Sequence, residues 1–361
     1  MPTVTDSISQ RRSLMLAVLS VCFGLLVAFG LGEIILRLMA IGYGNAPLVS
    51  DPYLHHVHPL NYRFVSHTPS GEYGGHEVYY DEQGRVSNPV VSDRNDASVR
   101  PKMAFMGDSF TEAGQVAFAD SFVGIMATKL EGRVDVRNYG VSSYSPILYL
   151  LQWRKIVRNY RPDHVIVLLY SNDIADDRQR TRAAEFSTDG QLLALPGPSG
   201  GWLTSMLRKL YLARFLRKVQ LQLKWMIENQ ATEKSITAGL VEENPEISDL
   251  SSHYMESLSK EISAVDGDLT IMVVPSKYRL SHSGLVSNKP QFSDKWKSWA
   301  AQRSINFIDL VKGFSQAAAQ GEKLFFEKDI HYNENGHSAV AKALQSHFSE
   351  LFSGVKSPKM Q

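Results

Sequence analysis

Two short strings far apart in the chain hold the residues best suited to chemistry: Gly107-Asp108-Ser109-Phe110-Thr111 and Asp329-Ile330-His331-Tyr332-Asn333. A serine hydroxyl is a weak nucleophile until a base takes its proton. That base needs an anionic partner that fixes its tautomer and stabilises its charged form. Ser109, His331 and Asp329 supply nucleophile, base and orienter, in chain order Ser…Asp-x-His. Ser109 follows the apolar run Met103–Met106 and a glycine, which reads as a buried strand opening into a tight turn. Such a turn can hold one side chain exposed on a rigid base. His331 sits in a short loop before a helical stretch. His337 is the rival base, but it follows Gly336 at the start of that helix without an aspartate just upstream, so it reads as structural.

The elements that must position these residues alternate from residue 101 onward. Candidate strands are Met103–Met106, Val134–Val136, Val165–Leu169, Leu269–Val274 and Ile305–Ile308. Candidate helices are Phe122–Leu130, Ile147–Asn159, Ile247–Val265, Phe292–Gln302 and Gly336–Phe352. Alternating apolar runs and amphipathic stretches predict a doubly wound parallel sheet covered by helices on both faces, a three-layer α/β/α sandwich. In such sheets ligands bind at the carboxyl ends of the strands. Ser109, Gly140 and Asn172 each fall just after a candidate strand, so one sheet edge can bring all three together.

The blocks Gly107-Asp108-Ser109, Asn138-Tyr139-Gly140, Ser171-Asn172-Asp173 and Asp329–His331 stand in the order found in the SGNH or GDSL hydrolases, and the chain resembles that family over roughly residues 100 to 350. The resemblance implies an SGNH-type fold, Ser109, His331 and Asp329 as a catalytic triad, and an oxyanion hole built from Ser109, Gly140 and Asn172. Many family members place the acid three residues before the histidine, where this chain has Lys328. The Asp-x-His spacing looks more like the branch that includes the alginate O-acetylation proteins.

Length leaves room for one membrane segment and one large α/β domain. With 38 basic and 37 acidic residues, no nucleic-acid footprint is expected. The single cysteine, Cys22, precludes an intrachain disulfide, and its place in an apolar segment removes thiol catalysis from consideration. Ser13 to Gly32 is uncharged and about long enough to cross a bilayer as a helix; Arg11 and Arg12 before it predict a cytoplasmic N-terminus and an extracytoplasmic remainder. A cleaved signal peptide, with Ala28-Phe29-Gly30 as the site, and a lipoprotein signal ending in Cys22 are weaker fits. Glu33 and Arg37 continue the helical register and read as the helix leaving the membrane.

The expected organisation is a cytoplasmic N-terminus over 1–12, a transmembrane signal anchor over 13–41, a preamble of loops and short strands over 42–100, and the hydrolase domain over 101–355. The domain carries a helical insertion near 178–245, which closes at the break Glu242-Glu243-Asn244-Pro245. Within it, Trp202 to Asn229 is a basic amphipathic stretch. Two readings stay open for it, a helix lying on a membrane surface and a helix packed on the domain or capping the active site with its cations in water. His55-His56-Val57-His58 lacks acidic or thiol partners at ligand spacing and reads as hydrogen-bonded rather than metal-binding. Asp173 and Asp176 could cap a helix or hold a cation.

The function expected from the resemblance is a serine esterase acting on O-acyl, foremost O-acetyl, esters of cell-envelope or exported glycans, with no cofactor and no metal. A polysaccharide O-acetyltransferase would use the same triad with a sugar hydroxyl in place of water. A non-catalytic glycan-binding or scaffold protein is the third reading, and it has no need of a matched Ser/His/Asp set.

Overall fold

A computed structural model of the chain describes residues 4–39, 41–43, 48–88, 100–198, 200–237, 249–275, 277, 280 and 292–353. The break expected at Glu242–Pro245 and the first two residues of the helix expected over Ile247–Val265 lie outside them.

Five parallel strands form the centre: β7 (Lys102–Gly107), β8 (Asp135–Asn138), β9 (His164–Leu169), β12 (Asp268–Val273) and β13 (Asn306–Ile308). They run in the order β8-β7-β9-β12-β13, so the first strand in sequence lies inside and the chain reverses direction across the sheet around it. Side chains alternate between faces along each strand. Met106, Val165, Val167, Leu169, Ile271 and Val273 join one buried layer, under the helices Pro146–Gln152, Asp249–Ser263 and Phe292–Ala301. Met103, Phe105, Ile166, Leu168 and Met272 join the other, under Phe122–Lys129, Leu310–Ala319 and Glu334–His347. Because both faces are covered, the strands need no polar positions, and each fully buried aliphatic side chain stabilises the sandwich by about 1.5–3 kcal/mol.

The sheet is mixed rather than purely parallel. The segment set apart as a preamble supplies β1 (Ile41–Tyr43), β4 (Tyr62–His67), β5 (Gly74–Tyr80) and β6 (Val86–Ser87). These extend the sheet beyond β8 to nine strands in the order β1-β4-β5-β6-β8-β7-β9-β12-β13, with β4, β5, β6 and β8 antiparallel in turn. A 2-stranded ribbon pairs β2 (Val49–Asp51) with β3 (His55–Val57). The histidines act as hydrogen-bonding ties: His56 Nε2 lies 2.8 Å from the Ser142 carbonyl and His58 Nδ1 2.8 Å from the Gly84 carbonyl. Among the described residues no group of three or more His, Cys, Asp or Glu side chains could hold a metal ion.

The N-terminal helix Val4–Leu38 is a candidate transmembrane span; Arg12–Leu38 is long and apolar enough to cross a membrane, and its apolar side chains are exposed. The small helix Asp173–Thr181 leads into the insertion, which forms a ribbon of β10 (Glu185–Phe186) and β11 (Leu192–Ala194) and the helices Trp202–Lys209 and Tyr211–Thr237. The longest of these packs one side on the domain, where Gln222 Nε2 donates to Thr68 Oγ1 at 2.8 Å and to Ser70 Oγ at 3.0 Å.

Candidate active site

Ser109 opens a single helical turn, Ser109–Glu112, at the carboxyl end of β7. Asp108 caps it by accepting the Phe110 N–H at 2.9 Å, and burial raises the Asp108 pKa to about 6. As the first residue of a helical turn, Ser109 has an N–H with no intrahelical partner. Two glycines let neighbouring backbone close on this turn. A Cβ on Gly107 would lie 2.2 Å from Thr111 Oγ1, and one on Gly140 would lie 2.4 Å from the Glu112 N.

Glu112 ends the turn as a buried carboxylate. Its oxygens accept from Tyr80 Oη at 2.7 Å and Ser142 N at 2.6 Å, and His58 Nε2 lies 3.4 Å away. Burial alone would raise its pKa, but His58 and these donors outweigh burial and hold it at about 2. One carboxylate thus ties β5, the loop after β8 and the segment before β4 to the turn that carries Ser109.

The second string folds back onto the same edge. His331 Nε2 lies 2.7 Å from Ser109 Oγ, and His331 Nδ1 lies 2.5 Å from Asp329 Oδ1. The same Asp329 oxygen accepts the His331 backbone N–H at 3.2 Å. This local turn explains how a two-residue spacing brings carboxylate and imidazole together: an aspartate readily bonds the backbone two residues on. The loop is fixed from outside as well. Lys277 Nζ donates to the carbonyls of Phe326, Glu327 and Asp329 at 2.7, 3.0 and 2.9 Å, and the Glu72 carboxylate accepts the Lys328 N–H at 2.8 Å. Phe110 sets its ring 4.9 Å from the His331 ring.

Asp329 has two further partners that sequence reasoning missed. Tyr73 Oη donates to Oδ2 at 3.2 Å, and Lys218 Nζ lies 4.0 Å from the same oxygen. Burial pushes this carboxyl upward, but His331, its hydrogen bond and Lys218 prevail and keep it well below the usual carboxylate range. Nothing in the sequence around Tyr73 marks it. Lys218 had only the signal of a basic helix, whose register against the site no spacing rule defines.

His337, the rival base, is buried away from Ser109. Its Nδ1 accepts the Phe122 N–H at 3.3 Å and its ring stacks on Phe122, while burial lowers its pKa to about 3. The other expected oxyanion donors, Gly140 and Asn172, both lie just past the ends of their strands, β8 and β9. Gly140 N–H, expected as a donor to the oxyanion, donates to Asn138 Oδ1 at 2.9 Å. Asn138 Nδ2 in turn donates to the Thr111 carbonyl at 2.8 Å, so this residue links Gly140 to the nucleophile turn. Asn172 is exposed, and its Nδ2 makes only a long 3.4 Å contact with Asp176 Oδ2. Asp173 and Asp176 belong to the Asp173–Thr181 helix: Asp173 accepts the Tyr170 N–H at 3.2 Å, and Asp176 pairs with Arg180 at 3.5 Å.

A serine, an imidazole and a buried carboxylate in line at the end of a central parallel strand define a nucleophilic hydrolase site. Residues 105–339 match the GDSL-like Lipase/Acylhydrolase family, and the chain belongs to that family; it is an ester hydrolase. No curated protein matches the sequence. Solved structures to which the chain is similar include Axe2, an acetylxylan esterase from Geobacillus stearothermophilus, at 14% identity and TM-score 0.39, covering 68% of this chain and 93% of that one. LAE5, an alpha/beta hydrolase enzyme from the metagenome of Lake Arreo, is 13% identical at TM-score 0.40 over 71% and 97% of the two chains. A lipolytic G-D-S-L protein from Veillonella parvula is 16% identical at TM-score 0.39 over 69% and 98%.

Proposed function

We propose that this chain is a membrane-tethered serine esterase that removes O-acyl groups, foremost acetyl, from cell-envelope or exported glycans outside the cytoplasmic membrane. The observation that carries the mechanism is the 2.7 Å approach of His331 Nε2 to Ser109 Oγ, with Asp329 on the other imidazole nitrogen. Ser109 Oγ attacks the ester carbonyl while His331 takes its proton; the imidazolium then protonates the departing sugar oxygen. Asp329 holds the tautomer and stabilises the charged ring. The Ser109 N–H and the Asn172 amide donate to the oxyanion, and Gly140 N–H joins them by sharing its proton with Asn138. Water, deprotonated by His331, releases the acid from Ser109. The glycan substrate and the location rest on the family resemblance and on the arginines before the apolar helix.

The Asp329-Ile330-His331 spacing favours one second reading, transfer of the acyl group to a sugar hydroxyl, because it is like that of the alginate O-acetylation branch. Both readings are tested by incubating the purified protein with an acetyl-ester reporter, with and without glycan acceptors, and following acetate and acetyl-glycan. Acetate release that no acceptor diverts supports the esterase; acetyl-glycan formed at the expense of acetate overturns it in favour of transfer. A protein that turns over no ester under either condition sinks both.

A further inference from the structure

The helix Tyr211–Thr237 begins where the apolar helix stops being apolar. Ser13 to Gly32 carries no charge, and as a helix it is about 30 Å long, the thickness of a bilayer's hydrocarbon core. Glu33, the next residue, accepts the N–H groups of Tyr211 at 3.1 Å and Leu212 at 2.8 Å. It therefore serves as the N-cap of a helix 178 residues further on. Arg37 seals the joint by donating to the Lys209 carbonyl at 3.2 Å while its guanidinium lies over the Tyr211 ring.

From that start the helix shows two unlike sides. Lys218 and Gln222, four residues apart, face the domain and reach Asp329 and Thr68. Leu216, Leu223 and Ile227, at spacings of seven and four, share the opposite side and are 47%, 55% and 71% exposed. Arg217 and Lys224 are exposed beside them, and Met206, Leu207, Arg208 and Lys209 of the preceding helix are exposed as well. An apolar stripe flanked by cations fits one kind of surface, acyl chains under anionic headgroups.

We propose that the outer side of Tyr211–Thr237 docks on the anionic lipid surface of the membrane, with Leu216, Leu223 and Ile227 among the acyl chains and the flanking cations on lipid phosphates. The proposal rests on the reading of Val4–Leu38 as a membrane span, because that span sets the depth at which Glu33 holds the helix. Its inner side then keeps Lys218 at Asp329, so the bilayer braces one wall of the active site.

Cys22, the chain's single cysteine, makes the test direct. The full chain is labelled with a fluorophore at native Cys22, or in the Cys22→Ser background at Ile227→Cys, at Leu223→Cys, or at Lys342→Cys on an exposed position of Glu334–His347. Each protein is reconstituted in vesicles of phosphatidylglycerol and phosphatidylcholine, in which chain-brominated lipid quenches dyes that reach the acyl region. Quenching at Cys22, Ile227 and Leu223 at least threefold that at Lys342 is expected. Arg217→Glu with Lys224→Glu should halve it at Ile227 and leave it unchanged at Cys22. Strong quenching at Cys22 with neither helix position above Lys342 overturns the docking and leaves the span. No quenching at Cys22 overturns the span itself, and quenching at Ile227 that ignores the charge reversal overturns the anionic surface. The vesicles hold no other protein, so a side that waits for a protein partner reads as water-exposed and also overturns the proposal.

Discussion

Lys218 Nζ lies 4.0 Å from Asp329 Oδ2, the carboxylate oxygen turned away from the imidazole. Asp329 is thus shared: Oδ1 holds His331, and Oδ2 meets Tyr73 and a cation delivered by the long helix. The lysine ties the charge of the site to a helix whose start is held by Glu33.

Lys218→Gln should lower kcat several-fold rather than abolish it, since His331 keeps its aspartate. Removing a neighbouring positive charge makes protonation of Asp329 easier, so the acid limb of kcat/KM should move to higher pH. Lys218→Arg should restore the profile. A pH–rate profile identical to that of the unchanged protein would show that the lysine does not act on the pair.

Ser109→Ala and His331→Ala should each remove ester turnover by several orders of magnitude with the fold intact. Asp329→Asn should lose about ten-thousand-fold, because the amide favours the wrong imidazole tautomer. Turnover of a chromogenic acetyl ester, with circular dichroism as the folding control, measures both. Near-normal turnover by Ser109→Ala would remove the nucleophile from this reading.

Glu112→Ala should destabilise the protein by about 3 kcal/mol or more, because the Ser142 N–H and the Tyr80 hydroxyl are left buried without their acceptor. Denaturant titration gives the number. Activity should fall with it, since the same turn presents Ser109, and a variant of unchanged midpoint would contradict the role of this carboxylate.

His337→Asn should alter the pH dependence of stability while preserving turnover. The His337 pKa is lowered to about 3 in the fold from an ordinary value near 6.5, so the unfolded chain binds the extra proton between those values. Stability from this site is complete above the unfolded pKa and falls as pH drops from about 6.5 toward 3, by at most ~1.4 kcal/mol per pH unit. Asp108 and Asp177, raised to about 6, change in the opposite sense over part of that range. The measurable quantity is therefore the difference between the unchanged protein and the variant, which should narrow as pH falls. A difference constant with pH would rule out a neutral buried imidazole.

A reporter active only outside the cytoplasm, fused after residue 361, should work, and one active only inside should stay silent. The arginines before the apolar helix motivate this orientation. The opposite pattern would remove the extracytoplasmic glycan as substrate.

Several features were legible in the residues because they follow from local pattern. Continuous apolar runs marked β7, β9 and β12 because strands buried on both faces have no polar side to show. Chain order and local pattern marked Ser109, Asp329 and His331, since a nucleophile after a strand and a carboxylate two residues before a histidine in a loop are both local. Helices Asp173–Thr181 and Leu310–Ala319 escaped, the first because its polar composition offers almost no apolar period. The assembled fold alone brings β1, β4, β5 and β6 onto the main sheet: edge pairing depends on partners in β8, and short strands of mixed polarity do not announce their neighbours. It also decided that Gly140 N–H is held by Asn138, and that Glu112, Tyr73 and Lys218 surround the site. Lys218 and Asp329 are 111 positions apart in sequence, and their approach follows from how a long helix docks, a sum of many weak contacts that no spacing rule encodes.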